Sequence, residues 1–372
     1  MKTKKVLTAN LKPGMVSSEA AYTFTNHLVI QSNTTLTPDI IDKLKYYAIK
    51  AVKVYVPDPA DEAQEADSPT ADDPYAGLDF SGPTYFERIQ QSEQFIEFKE
   101  NFTASVDIFK TQLNDIVTQS AGDIVDDMLA EVDSIVSRTR NPLHLLDMLQ
   151  CLRGFDDMTY THSMNVALIC HVIGSWLGKS EEELNVLLLC GLLHDIGKLQ
   201  IPPEIIAKPG KLTDDEFKMV RSHPKLGYDI LRNKDLDNRI KLAALQHHER
   251  YDGRGYPRHL TGPEISEYSS IVAIADVYDA MTSDRIYRSG ICPFSVIATF
   301  EKEKDLYEPS ILYQFMKRTV EAYINSEVLL SNNERGKVVL INQSILSRPV
   351  VITDKKTYDL SKDSSIEIAA LI

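Results

Sequence analysis

Long apolar runs are missing from this chain. The longest, Val186–Leu193, is interrupted by Gly191 and falls well short of the ~20 residues that a membrane-crossing helix needs, so no membrane insertion is expected. Cysteine is scarce: Cys151, Cys170, Cys190 and Cys292 form no CxxC pair, and three lie in apolar helical sequence where a reduced thiol serves as a small hydrophobe. Disulfides and cysteine metal sites are therefore not expected. Basic charge is in deficit, with 40 Lys and Arg against 54 Asp and Glu and a net charge of −14. That balance argues against wrapping duplex nucleic acid or lying on an anionic membrane, and an anionic substrate would need cations placed locally. Met1–Lys5 is basic but is not followed by a continuous apolar core and a small-residue cleavage site, so the expectation is a cytoplasmic protein without a secretory signal.

What is present is ordinary globular composition, 43% hydrophobic and 25% charged over 372 residues, enough for two or three domains. Residues 1–56 read as a small α/β unit, with a strand at Leu28–Ile30, a helix capped by Thr37-Pro38 and a second β-rich run from Ala51 to Val56. Residues 57–83 read as an acidic, proline-rich linker: Pro57–Pro74 holds seven acids, four prolines and no Lys or Arg, too little apolar surface to order itself. Residues 84–140 read as connecting helices. Within them Phe95, Phe102, Val106, Phe109, Leu113 and Ile116 follow a four-three spacing suited to a helix seam, either inside the chain or between two copies in a homodimer. Residues 141–335 read as a succession of amphipathic helices, with capping boxes at Ser180/Glu183 and Thr213/Glu216. Residues 336–372 read as a short β tail, with strands at Val338–Ile341, Pro349–Ile352 and Ile366–Ile368. The fold class is mainly α, with a small N-terminal α/β unit and a C-terminal β appendage.

The helical region concentrates chemistry. His247-His248-Glu249 is followed by Asp252-Gly253-Arg254-Gly255-Tyr256-Pro257, and His162, His194 and His223 lie at or near helix ends or beside a second polar group. Neutral imidazole is the commonest protein metal ligand. Asp195 follows His194 directly, and Asp276 sits inside the apolar run Ile271–Val277, where an ionised carboxylate needs a partner and a metal ion supplies one. A lone His-Asp pair is weak evidence; the set together is strong.

From about Asp156 to Arg288 these blocks resemble the HD-GYP domain, a branch of the HD phosphohydrolases whose members hydrolyse cyclic di-GMP. The matching blocks are Tyr160–Ser163, His194–Lys198, His223-Pro224, His247–Glu249, Asp252–Pro257 and Ile274–Ala280. The resemblance implies an all-helical catalytic domain in which His162, His194, Asp195, His223, His247, His248 and Asp276 ligate metal, with Asp195 bridging two ions. It implies a phosphodiesterase that converts cyclic di-GMP to linear pGpG and onward to GMP in some members, by hydroxide attack on phosphorus. Lys198, Arg285 and Arg288 would meet the phosphates, and Tyr256 the nucleotide. Imidazole-rich N/O ligation favours iron or manganese over magnesium or calcium. Where some members carry a glutamate for a third metal, one helical turn before the first histidine, this chain has Met158, so two divalent ions are expected. Glu249 and Asp252 would orient ligand histidines. Two other readings stand beside this one: a cyclic-dinucleotide sensor without turnover, which the intact ligand set disfavours, and a phosphodiesterase for another cyclic dinucleotide such as cyclic GMP-AMP.

Overall fold

The structure is a computed structural model that describes residues 2–8, 11–22, 28–37, 40–41, 44, 49, 51–56, 82–118, 122–152, 158–208, 212–283 and 292–372. The chain forms two compact units, Met1–Leu78 with Lys208–Phe217, and Asp79–Ala207 with Lys218–Ile372. In the first unit, β1 (Lys2–Leu7) pairs antiparallel with β4 (Ala51–Val56), and β2 (Ala21–Tyr22) with β3 (Leu28–Ile30). Their inward residues, among them Val29, Ile30, Val52 and Val54, join Leu36 and Leu44 in a core of their own. The strands expected at Leu28–Ile30 and Ala51–Val56 are present. Most of the acidic, proline-rich stretch lies outside the described residues.

In the second unit the helices follow apolar spacing and local caps. They are α1 (Tyr85–Gln90), α2 (Glu93–Thr118), α3 (Gly122–Val136), α4 (Pro142–Cys151), α5 (Met158–Trp176) and α6 (Glu181–Leu193), then a 3-10 turn at Ile196–Gln200. Next come α7 (Pro203–Ile206), then α8 (Asp214–Val220), which begins within the first unit and ends in the second, and α9 (His223–Leu231), α10 (Asn238–Gln246), α11 (Glu267–Ser283), α12 (Pro293–Lys302) and α13 (Pro309–Glu321). Ser180 and Glu183 form the expected capping box at the start of α6. Thr213 and Glu216 exchange the same pair of bonds before α8.

The seam residues of α2 have a different fate from a dimer interface. Phe95, Phe98, Phe102, Val106, Phe109, Leu113 and Ile116 are buried within this chain, where α2 packs on α3 and α5. Val125, Met128, Val132 and Ile135 of α3 return an apolar face of their own, so the seam side chains are covered within the chain, while Ile96 and Ile108 of the same helix stay exposed.

Two glycines set the backbone approaches that bring distant helices together. A Cβ on Gly191 would lie 2.3 Å from the Ala167 Cα, so α5 and α6 meet backbone to backbone. A Cβ on Gly197 would lie 2.0 Å from the His223 carbonyl oxygen, so the turn after α6 is seated directly on the start of α9. No larger side chain fits either position.

The C-terminal strands form one antiparallel sheet, ordered β8 (Thr357–Asp359), β7 (Val350–Thr353), β6 (Arg335–Leu340), β5 (Glu327–Leu330), β9 (Ile368–Leu371). It begins at Glu327 rather than at residue 336, because β5 lies between β6 and β9 and pairs with both. Val328, Leu330, Val338, Val351 and Leu371 join the same apolar cluster as the helices, so the sheet shares the helical core.

Candidate metal centre

Each expected ligand sits where an element ends or crosses its neighbours. His162 lies in α5, His194 caps the C-terminus of α6 and Asp195 opens the 3-10 turn. His223 begins α9, His247 caps the end of α10, His248 follows it, and Asp276 lies within α11. The packing of α5 on α6 and α11, and of α10 on α6, α9 and α11, draws them together. Three overlapping groups result, His162/His194/Asp276, His194/Asp195/His247 and His223/His247/His248, each with ligand atoms within 4.8 Å of one another. His194 and His247 are shared between groups, so all seven residues form one continuous array.

The array has a common orientation. The Nδ1 atoms of His194, His223 and His247 lie 2.7, 2.7 and 3.0 Å from the carbonyl oxygens of Gly191, Val220 and Ala243. A carbonyl only accepts, so each Nδ1 carries the proton and each Nε2 turns a lone pair inward. His162 is held likewise, its Nδ1 2.7 Å from the Asp279 carboxylate, which also accepts from the Asn165 amide at 2.9 Å.

Some of the inward atoms then lack donors. The Nε2 atoms of His223 and His247 are 3.1 Å apart, and the His223 Nε2 is 3.1 Å from Asp195 Oδ1. The His194 Nε2 and Asp195 Oδ1 are buried without a hydrogen-bond partner. Buried acceptors facing one another are costly unless a cation lies among them. The donor set therefore fits divalent metal.

Protonation states agree. Burial and the neighbouring imidazoles hold His247 and His248 well below the usual histidine range, so both are neutral. Burial alone would raise the Asp195 carboxyl, but the Lys198 ammonium and His194 outweigh it and keep the group ionised. Asp276 is also held low, since His162 outweighs the effect of burial. Burial disfavours charge on His162, yet hydrogen bonds and charge from Asp276 and Asp279 push it up to about 10. A cation arriving there would displace that proton, which makes binding proton-linked.

Around the array, several residues sit differently from expectation. Glu249 does not orient a histidine: its buried carboxylate accepts from the Arg258 and Leu260 amides at 2.7 and 3.0 Å, tying down the loop that carries Tyr256. Asp252 accepts from the Arg254 amide at 3.0 Å. The orienting carboxylate is Asp279, one helical turn beyond Asp276, a spacing that could have flagged it. Lys198 is paired with Asp195, because the 3-10 turn folds it back at i+3. Tyr256 stacks on His248, ring centroids 4.7 Å apart and 25° between planes, and the Arg221 guanidinium lies over the Tyr256 ring, 4.3 Å from its centroid. Arg221 carried no signal in the sequence beyond its place two residues before His223. Arg285 and Arg288 lie outside the described residues, as does the Met158 side chain.

A family profile described as HD domain matches residues 126–311, half of the chain. The chain belongs to the HD domain family. Among curated relatives of this HD protein, a cyclic di-GMP phosphodiesterase of Pseudomonas aeruginosa is 35% identical over 225 residues, 60% of this chain and 53% of that protein. A cyclic di-GMP phosphodiesterase response regulator of Xanthomonas campestris is 37% identical over 181 residues, 48% of this chain and 47% of that protein. A 3′3′-cGAMP-specific phosphodiesterase of Vibrio cholerae is 42% identical over 133 residues, 36% of this chain and 31% of that protein. The chain thus spans about half the length of the first of these relatives, or less. Among the described residues, no helix of the HD protein is long and apolar enough to cross a membrane.

Proposed function

We propose that this HD protein is a metal-dependent phosphodiesterase that hydrolyses cyclic di-GMP to linear pGpG. The observation that carries the reading is the array of imidazole and carboxylate atoms contributed by seven residues, in which the His194 Nε2 and Asp195 Oδ1 are buried without a hydrogen-bond partner. The cyclic di-GMP phosphodiesterases among the relatives supply the substrate class. In this reading His162, His194, Asp195, His223, His247, His248 and Asp276 hold two divalent ions, iron or manganese, with Asp195 shared between them. Such a pair would neutralise a phosphodiester and lower the pKa of bound water toward neutrality.

The remaining roles belong to the chain itself. Lys198, already beside Asp195, offsets the phosphate charge, and Arg285 and Arg288 act with it in an otherwise acidic protein. Tyr256 and Arg221 brace His248 from outside and wall the site. Asp279 keeps His162 in its ligand tautomer.

The test is hydrolysis by anaerobically purified protein supplemented with Mn2+ or Fe2+, with cyclic di-GMP and 3′3′-cGAMP offered side by side. Release of pGpG, faster than any cleavage of 3′3′-cGAMP, is expected. Tight binding of cyclic di-GMP with no product would make the protein a sensor, and preferential cleavage of 3′3′-cGAMP would move the substrate assignment.

A further inference from the structure

Beside the loop that carries Tyr256 lies a groove of about 330 Å3 whose lining includes none of the seven array residues. Lys225, Tyr228 and Asp229 of α9, with Arg232 capping its end, form one wall, and Pro257 and Arg258 of the loop form another. The α9 residues recur at three- and four-residue steps, so they share one helix face, while His223, Gly227 and Leu231 are buried in the same helix. Three of the lining side chains are cationic against one carboxylate, in a chain of net charge −14. That carboxylate, Asp229, is engaged with Arg232 at 3.3 Å. Lys225 and Arg258 have no acidic side-chain partner among the described residues. Two unpaired cations of different geometry, one a planar fork and one a point charge, suit a phosphate with several acceptor oxygens. Tyr228 adds an aromatic surface, and Leu245 with Pro257 an apolar one. The volume is at the small end of ligand pockets, which typically run from about 300 to 1,000 Å3.

We propose that this groove is a second binding site, for a nucleoside monophosphate, with the phosphate between Lys225 and Arg258 and the base on Tyr228. The site is tied to the metal centre by one strap of backbone. Arg258 donates its amide to Glu249, and Tyr256, two residues earlier, stacks on His248. A ligand bridging α9 and Arg258 therefore fastens the loop that covers a metal-site histidine.

Calorimetric titration of the full, metal-loaded chain tests this, with guanosine monophosphate and adenosine monophosphate as probes and guanosine as the uncharged control. Both monophosphates bind and guanosine does not. Lys225→Glu with Arg258→Glu weakens binding by about tenfold or more at unchanged metal content. Both side chains are exposed, so the double variant is expected to fold as the parent does, with the same melting temperature. Lys225→Gln alone, which removes one charge and adds none, weakens binding by about threefold. Binding that is undiminished in these variants would put the ligand at the metals and overturn the proposal. So would failure of both monophosphates to bind at millimolar concentration. Neither result bears on hydrolysis at the metal centre.

Discussion

Two buried carboxylates in this molecule show what separates a structural polar group from a reactive one. Asp147 in α4 is only 2% exposed, and each of its oxygens accepts a tyrosine hydroxyl at 2.7 Å, from Tyr323 and Tyr85. Asp195 is as deeply buried, 4% exposed, but its Oδ1 has no donor and faces imidazole lone pairs. Burial is the same; satisfaction is not. The first cluster is complete in protein alone and ties the first helix of its unit to the turn before the sheet. The second is complete only with cations. A network fully satisfied internally rigidifies a core, whereas an unsatisfied one in a folded protein marks a ligand.

Substitutions at the two clusters should therefore fail in different ways. Asp195→Ala removes the carboxylate that faces the imidazoles of His194, His223 and His247 and is expected to lower both metal content and the proposed phosphodiesterase turnover by more than about 100-fold, while the fold stays intact by circular dichroism. Parent-like metal content in that variant, read by elemental analysis, would break the distinction. Asp279→Asn leaves every ligand but weakens the acceptor on the His162 Nδ1, and a loss of roughly 10–100-fold in metal affinity is expected. Asp147→Asn is expected to leave metal affinity unchanged, to lower stability by the loss of one tyrosine-hydroxyl acceptor, and to remove the pH dependence that the carboxyl imposes. Burial, partly offset by the two tyrosine bonds, raises the Asp147 pKa from 3.8 to about 6. A raised carboxyl pKa stabilises the fold fully below pH 4, and that contribution is lost as pH rises through 6. The shift corresponds to about 3 kcal/mol, and chemical denaturation of Asp147→Asn between pH 4 and 7 should lack that decline.

Much of this contrast was legible in the chain before folding. Chemistry at fixed spacing marked His194-Asp195, His247-His248 and Asp276, because an acid within an apolar run demands a partner wherever the run ends up. The Ser180 and Thr213 caps were equally readable, since a cap is a bond between residues three apart. Asp147 was not, although it too lies in an apolar helix: its partners are 62 and 176 residues away. The α2 seam shows the same limit from the apolar side. Its spacing specified a packing face but not whether another chain or α3 would cover it.

The helical class, the position of most element ends and the identity of the residues that converge were thus set by local residue order. Periodicity, capping and residue chemistry are local and survive without a fold. Packing between distant segments was needed to make Asp279 rather than Glu249 steady a histidine, to fold Lys198 back on Asp195, and to lay Arg221 over the Tyr256 ring. Those outcomes depend on which backbones can approach within contact, as at Gly191 and Gly197, and on the turn a helix takes where it ends. Neither is written in any short stretch of residues.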